Sequence, residues 1–476
     1  MTKKTKETDV NRLSTNPKNN DPRRNLPSAS ILLEEPSIKE IIAKYSHILV
    51  MDAIHDTLKW FRENLKQGDE SPKMSAVIEK VHFFLNHNQF ERIRAVVNAT
   101  GVILHTNLGR AVLPQRAVDA LSQLNHCCNL QIDLETGQRG KRHYMTEYLL
   151  CKITGAEAAL IVNNNAAATF LILSALCKGK EVIISRGQLI EIGGSFRLPD
   201  CIHQSGAIMV EVGTTNKTHL RDYEQALTEN TGIILRVNPS NYRIVGFTED
   251  VPIADLVSLK KKKPVIIVDD QGCGALISLE KYGLPKEPTV QESISAGADL
   301  VCFSGDKMIS GPQAGIIIGK KELIMKIRKH PFTRMLRVCK LTDMALEQTL
   351  RLFLEPEKLV ETNPTIRMLT IPAEELKKKA ANLKKKLDRE KLHLKLEVKE
   401  GESTTGGGSY PATVIKSYVL TIQSSKFNSD RLCYLLRQNE PPIISRIKND
   451  EVILDMRTLI DGDEEAIFHA LVKIGK

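Results

Sequence analysis

The chain has nine cysteines but no Cys-x-x-Cys pair, and several of the cysteines sit inside apolar runs such as "DLVCFSG". That spacing argues against a structural zinc site and fits buried free thiols in a reducing compartment. Nor is there an uninterrupted apolar run of membrane-spanning length, and the opening "MTKKTKETDVNRLSTNPKNNDPRR" lacks the apolar core of a signal peptide. A soluble, cytoplasmic protein with no membrane contact is expected. No disulfide scaffold is required either, because 476 residues, 42% of them apolar and 26% charged, suffice for two or three domains with proper cores.

What is present in excess is positive charge. The formal net charge of +10 suits a polyanionic partner such as nucleic acid, although lysine-rich solvated faces such as "EELKKKAANLKKKLDREK" supply much of it. Residues 1–24 carry seven Lys/Arg against three Asp/Glu and read as a basic disordered tail. Residues 25–90 place apolar side chains at helical spacing, as in "SIKEIIAKYSHILVMDAIHDTLKWFRENL", and predict a small helical domain.

The pattern then changes. Short Val/Ile-rich runs recur at 158–162, 181–185, 207–212, 232–237, 265–269 and 299–304 between helical segments. They predict crossover units and a mostly parallel sheet with helices on both faces, in a large α/β domain over 91–340. Past Leu392, "LHLKLEV", "SYVLTIQ" and "EVILDMRTL" alternate as strands, so residues 341–476 are expected to close the chain as a small α+β domain.

Ligands of open parallel sheets bind at strand ends, and three of these ends carry chemistry. After "ALIV" come Asn163, Asn164 and Asn165, then Ala166 and an apolar helix. The N-terminus of such a helix can seat a phosphate that small residues allow to approach, though the same asparagines also suit an ordinary N-cap. After "VIIV" come Asp269 and Asp270 before a Gly-x-Gly turn; a carboxylate there can cap the turn or hold a protonated ring nitrogen. No His or acidic cluster accompanies it to bind a metal. After "LVCFS" comes "GDKMISGPQAGIIIG", where Lys307 is flanked by Gly305, Gly311 and Gly315. A partly desolvated lysine can lose its proton and form an imine with an aldehyde. A phosphate seat, a strand-end acid and a strand-end lysine together are what pyridoxal 5′-phosphate needs.

Long motifs in order carry a more specific signal: "VVNATGVILHTNLGRA" (96–111), "DLETGQRGKRH" (133–143), "EIGGSFRLPD" (191–200), "EVGTTNKTHLRDYEQAL" (211–227), "SNYRIVGFT" (240–248), "KYGLPKEP" (281–288), "SGDKMISGPQAGIIIGKKELI" (304–324) and "GGGSYP" (406–411). By these the chain resembles the bacterial selenocysteine synthases, L-seryl-tRNA(Sec) selenium transferases of the fold-type-I pyridoxal phosphate class. The resemblance implies that Lys307 is the Schiff-base lysine, matches Asp270 to the pyridinium partner while leaving its neighbour Asp269 as the open alternative, and implies that Asp306 helps to orient the lysine. It matches Arg110, Arg334 and Arg337 to arginines that bind anions at the family's active site, suited to selenophosphate and released phosphate. It implies a helical N-terminal domain that grips seryl-tRNA(Sec), and a homodecamer built as a ring of dimers with active sites at dimer interfaces. Two positions depart from the family pattern: Asn238 stands where a histidine is usual, and Cys273 where a serine is usual. Cys273 is open to two roles, a reactive thiol or buried packing. Two rival readings follow from the residues, a pyridoxal phosphate lyase or aminotransferase for a small amino acid, and a tRNA-binding protein whose cofactor site has decayed.

Overall fold

Seven strands form the central sheet of a computed structural model that describes residues 21–66, 69–88 and 93–476. They are β1 (Ala158–Val162), β2 (Glu181–Ser185), β3 (Ile208–Val212), β4 (Thr231–Val237), β5 (Ile266–Gly272), β6 (Leu300–Ser304) and β7 (Gly315–Gly319), in the spatial order β1-β7-β6-β5-β4-β2-β3. The run from β6 through β5, β4 and β2 to β3 is parallel, as the six apolar runs predict. The seventh strand, which periodicity did not single out, is the "GIIIG" that follows the lysine segment. It lies antiparallel between β1 and β6, because the chain returns from β6 through a tight loop closed by Gly305 N–H to Ala314 C=O at 2.9 Å instead of through a crossover helix.

Apart from the edge strand β3, where Ile208 is half exposed, the sheet is buried on both faces, which is why its strands are continuously apolar rather than alternating. Ile161, Val301, Ile316 and Ile318 bury on one side, and Leu160, Val162, Leu300, Cys302 and Ile317 on the other. The helix Asn165–Leu176 is apolar all round, and Ala168, Leu171, Ile172 and Leu173 are fully covered; a helix of that composition has to lie inside the protein. It starts directly at the end of β1, so its N-terminus opens at the carboxyl edge of the sheet.

Side chains from Leu346 to Leu369 bury in the core of this large sheet, and from Leu376 onward they bury in a second core, except Tyr410 and Ile415, which return to the first. That second core covers an antiparallel sheet of β8 (Leu394–Thr404), β9 (Val414–Ser424), β10 (Arg446–Lys448) and β11 (Glu451–Asp455), ordered β8-β9-β11-β10. The lysine-rich helix Ala373–Asp388 turns Leu376, Ala380, Leu383 and Leu387 into it and leaves its lysines toward solvent. Val97 and Ala99 join the same core, where Val97–Asn98 pairs in parallel with Ile443–Ile444.

By contacts the chain divides into two compact units that meet at Ala95/Val96. The first holds helices Ala29–Glu34, Pro36–Lys44, His47–Asn64 and Met74–Asn88 around a core that includes Leu32, Ile38, Val50, Ile54, Leu58, Val77 and Val81. The expected basic tail lies, as far as Asn20, outside the described residues. Among the described residues no helix is long and apolar enough to cross a membrane.

One contact fixes the helix Asn165–Leu176 against β7. A β-carbon added at Gly315 would collide with the carbonyl oxygen of Asn164, which is backbone and cannot swing away. Gly315→Ala is therefore expected to destabilise the protein by about 1–3 kcal/mol, read as a lower urea midpoint. An unchanged midpoint would show that the approach is not tight.

Candidate active site

A cavity of about 780 Å³ opens at the carboxyl ends of β1, β5 and β6. The hairpin loop between β8 and β9 forms its far wall with three successive glycines, Gly406, Gly407 and Gly408, all at positive φ. Side chains would be strained there, and a β-carbon at Gly408 would stand 2.7 Å from Lys307 Nζ. The loop is thus a strap laid directly over the lysine.

Lys307 follows β6 and is 9% exposed. Burial pulls its amine below the ordinary lysine range, and Arg110 pushes the same way, while Cys273, Asp306 and Asp270 oppose them. Next to it, Asp306 accepts from Arg110 Nη1 at 2.8 Å. Arg110 lines the cavity and is held at φ 65°, so the pairing with Asp306 orients a guanidinium that could otherwise swing to solvent.

The two aspartates of β5 face opposite ways, as successive strand residues must. Asp269 turns away from the cavity, where Arg236 Nη1 lies 2.9 Å from Oδ1 and Ser293 Oγ donates to Oδ2 at 2.6 Å. Asp270 lines the cavity. Its Oδ1 accepts from Asn165 Nδ2 at 2.7 Å and from Gly272 N–H at 3.1 Å, and its Oδ2 from Thr169 Oγ1 at 2.8 Å. Burial raises its pKa above the ordinary carboxylate value, while the donors from Asn165 and Thr169 and the charge of Lys307 pull it back.

At the end of β1, Asn164 caps the helix through its Oδ1, which accepts from Ala167 N–H at 2.8 Å. Asn164, Asn165 and Ala166 all line the cavity. Asn165 Oδ1 is buried without a hydrogen-bond partner, an acceptor left over after its amide has gone to Asp270.

Arg334 and Arg337 lie elsewhere. Both are exposed, on and just after the helix Pro331–Met335, and neither lines this chain's cavity. They crowd with Arg142, which is the main charge that pushes the Arg337 guanidinium down. Cys273 is fully buried and burial raises its thiol well above the ordinary range, so it packs as a thiol and is no ready nucleophile.

The sequence patterns passed over Thr169, although it lies one helical turn from Asn165 and so had to share its face. They also offered no role for the glycine strap or for Glu287, discussed below. No local signal points to Glu287, since its partners come from distant segments.

These features fit pyridoxal phosphate: a helix N-terminus for the phosphate, a carboxylate facing a ring nitrogen, and a buried amine of lowered basicity for the aldehyde. Among solved structures, that of D-glucosaminate-6-phosphate ammonia-lyase superposes with a TM-score of 0.54 at 20% identity, over 82% of this chain and 98% of that one. That likeness concerns the fold, which is the fold-type-I architecture expected from the sequence. Closer relatives appear in sequence. The chain is 46% identical over 444 residues to the L-seryl-tRNA(Sec) selenium transferase of Carboxydothermus hydrogenoformans, covering 92% of this chain and 95% of that protein. It is 47% identical over 453 residues to the enzyme of the same name from Caldanaerobacter subterraneus subsp. tengcongensis, covering 95% and 98%. The family model described as L-seryl-tRNA selenium transferase matches residues 96–460, a span that holds the whole of this cavity, and the chain belongs to that family.

Proposed function

We propose that the protein converts seryl-tRNA(Sec) to selenocysteyl-tRNA(Sec), taking selenium from selenophosphate and using pyridoxal 5′-phosphate. The observation that carries the reading is the buried Lys307, set beside Asp270 and under the strap in a chain of this family. Bound pyridoxal phosphate supplies an aldehyde that links to an amine and a ring that takes up the electron pair released at the serine α-carbon.

The protein's residues do the rest. Asp270 holds a proton at the ring nitrogen, and Asn165 and Thr169 keep its carboxylate aimed there. Asn164, Asn165 and Ala166 open the helix that seats the phosphate. Lys307, once free, removes the α-proton and later returns it. The serine β-hydroxyl leaves as water and selenium takes its place on the β-carbon. Arg110, fixed by Asp306, offers a forked cation to the phosphate oxygens of the selenium donor. Arg334 and Arg337, which lie outside this chain's cavity, are assigned to the anion site of a neighbouring subunit in a ring of dimers. The N-terminal helical unit is assigned to the tRNA body, because seryl-tRNAs share their amino acid and differ in RNA shape. The nine free cysteines fit a cytoplasmic enzyme.

The direct test incubates the protein with seryl-tRNA(Sec) and selenophosphate and identifies the esterified amino acid by mass spectrometry, with ordinary seryl-tRNA as control. Selenocysteine on tRNA(Sec) alone is expected; unchanged serine on a protein that holds its cofactor would favour a small-molecule lyase. Lys307→Ala is expected to lower turnover more than about a thousandfold, and near-normal conversion by that variant would refute the assignment.

Two further outcomes follow. The lowered basicity of Lys307 means that its reactive, unprotonated form appears at lower pH than for an ordinary lysine. The rate at which the cofactor-free protein takes up pyridoxal phosphate should accordingly rise with pH to a midpoint below the ordinary lysine value. A midpoint at that value would show the amine is not desolvated. Protein lacking residues 1–95 should keep its cofactor absorbance and lose tRNA binding in a filter assay; retained binding would place the RNA contacts in the larger unit.

A further inference from the structure

Behind one wall of the cavity lies a second buried carboxylate that the chemistry above does not use. Glu287 sits between the Lys286 and Pro288 positions of "LPKEP" and is 8% exposed. It does not line the cavity that holds Lys307. Among the described residues no cation pairs with it. Its hydrogen-bond partners are neutral donors, Asn238 Nδ2 at 3.1 Å and Cys273 Sγ at 3.3 Å, both on Oε1; Tyr410 lines the same pocket as Glu287, and its backbone N–H lies near enough to pull the carboxyl's pKa down.

Each donor belongs to a different element that borders the lysine. Asn238 follows β4 and itself lines the cavity, and its backbone N–H bonds the Asp270 carbonyl at 2.9 Å. Cys273 belongs to the turn after Asp270, and its carbonyl accepts from the N–H of Met308, the residue after Lys307, at 3.3 Å. Tyr410 ends the glycine strap, whose Gly408 is the close neighbour of Lys307 Nζ. Burying a carboxylate without a counter-charge is costly, and burial does push Glu287 above the usual carboxylate range against the pull of its donors. An apolar side chain could fill the same space but could not bind three elements at one point.

We propose that Glu287 is a positioning residue: its carboxylate orients Asn238 and ties the strap Gly406–Tyr410 down over Lys307, so that the lysine amine is held in place for reaction. This rests on the reading of Lys307 as the reacting amine. Glu287 touches neither substrate nor cofactor and acts through the groups it holds.

The test compares Glu287→Ala and Glu287→Gln with the wild type, each full-length and loaded with pyridoxal phosphate. Three quantities are read: kcat and KM for seryl-tRNA(Sec), the rate at which borohydride fixes the cofactor onto Lys307, and proteinase K cleavage within residues 404–413. For Glu287→Ala, kcat should fall at least about tenfold with KM within about twofold, as misplacement of a reacting group demands. The cofactor should stay bound, its fixation by borohydride should speed up as the strap loosens, and the strap should be cut faster. Glu287→Gln keeps one acceptor oxygen for Asn238 but sets an amide N–H2 where the other oxygen stood, so it should fall between the two. Wild-type kcat together with a protected strap in either variant would overturn the proposal, and so would a loss of activity that only tracks loss of cofactor. Should Glu287→Ala fail to fold, Glu287→Gln decides by the same criteria. A wild type that does not convert seryl-tRNA(Sec) would sink the substrate reading alone, since borohydride fixation and strap cleavage still judge Glu287.

Discussion

Asp270 is a carboxylate with almost no access to water, and much of the site follows from what it takes to keep it there. Such a group is costly to bury unless its oxygens are met by donors. Here the donors come from the helix Asn165–Leu176, through Asn165 and Thr169 one turn apart, and from the N–H of Gly272 in the turn that follows. The demand for donors therefore sets the rotation of that helix about its axis. Once the rotation is set, the helix N-terminus must open beside β5, at the same edge of the sheet as Lys307. The electrostatic need of one side chain thus links the phosphate seat, the ring-facing acid and the amine into a single geometry.

Backbone closeness is the second constraint. Gly315 lets β7 run against the start of that helix, and Gly408 lets the strap pass over Lys307 Nζ. The approach at Gly408 covers the amine, and desolvation is the main reason its basicity falls. A glycine that looks like loop filler in the sequence, Gly408, is thus part of what makes Lys307 reactive. A strap of three glycines at positive φ has little stiffness of its own, so its placement over Lys307 depends on what its ends pack against.

Much of this was legible beforehand, for physical reasons. Five of the six strands announced themselves as Val/Ile runs because both of their faces are covered, the edge strand β3 being the part-exposed sixth, and the strand-end positions of Asn164, Asp270 and Lys307 followed from sheet topology. β7 escaped because it is entered by a tight return flanked by glycines, without the helix that marks a crossover. Alternation along β5 requires Asp269 and Asp270 to face opposite ways, yet only the three-dimensional partners, Arg236 and Ser293 for one and Asn165 and Thr169 for the other, say which faces the cavity. Pairs far apart in sequence, such as Arg110 with Asp306 or Asn238 with Glu287, leave no periodic trace. The arginines of "HPFTRMLRVCK" were matched to active-site anion binders of the family, but they do not line this chain's cavity, because of where the helix Pro331–Met335 emerges.

Net charge was the weakest of the sequence signals, and the structure explains why. The lysine-rich helix Ala373–Asp388 contributes heavily to the excess, yet Lys379, Lys384 and Lys386 lie against Glu464, Asp388 and Glu465. Exposed pairs of this kind contribute little to stability and largely cancel one another's field. In the cavity the charges balance as well, with Lys307 and Arg110 beside Asp270 and Asp306. A polyanion responds to cations without nearby carboxylates, not to the sum over the chain. Arg337 comes nearest to that condition, since its guanidinium is pushed down chiefly by Arg142, with burial and Arg334 adding to the effect. A guanidinium crowded by like charge is relieved by an anion placed beside it, which net charge summed over the chain cannot reveal.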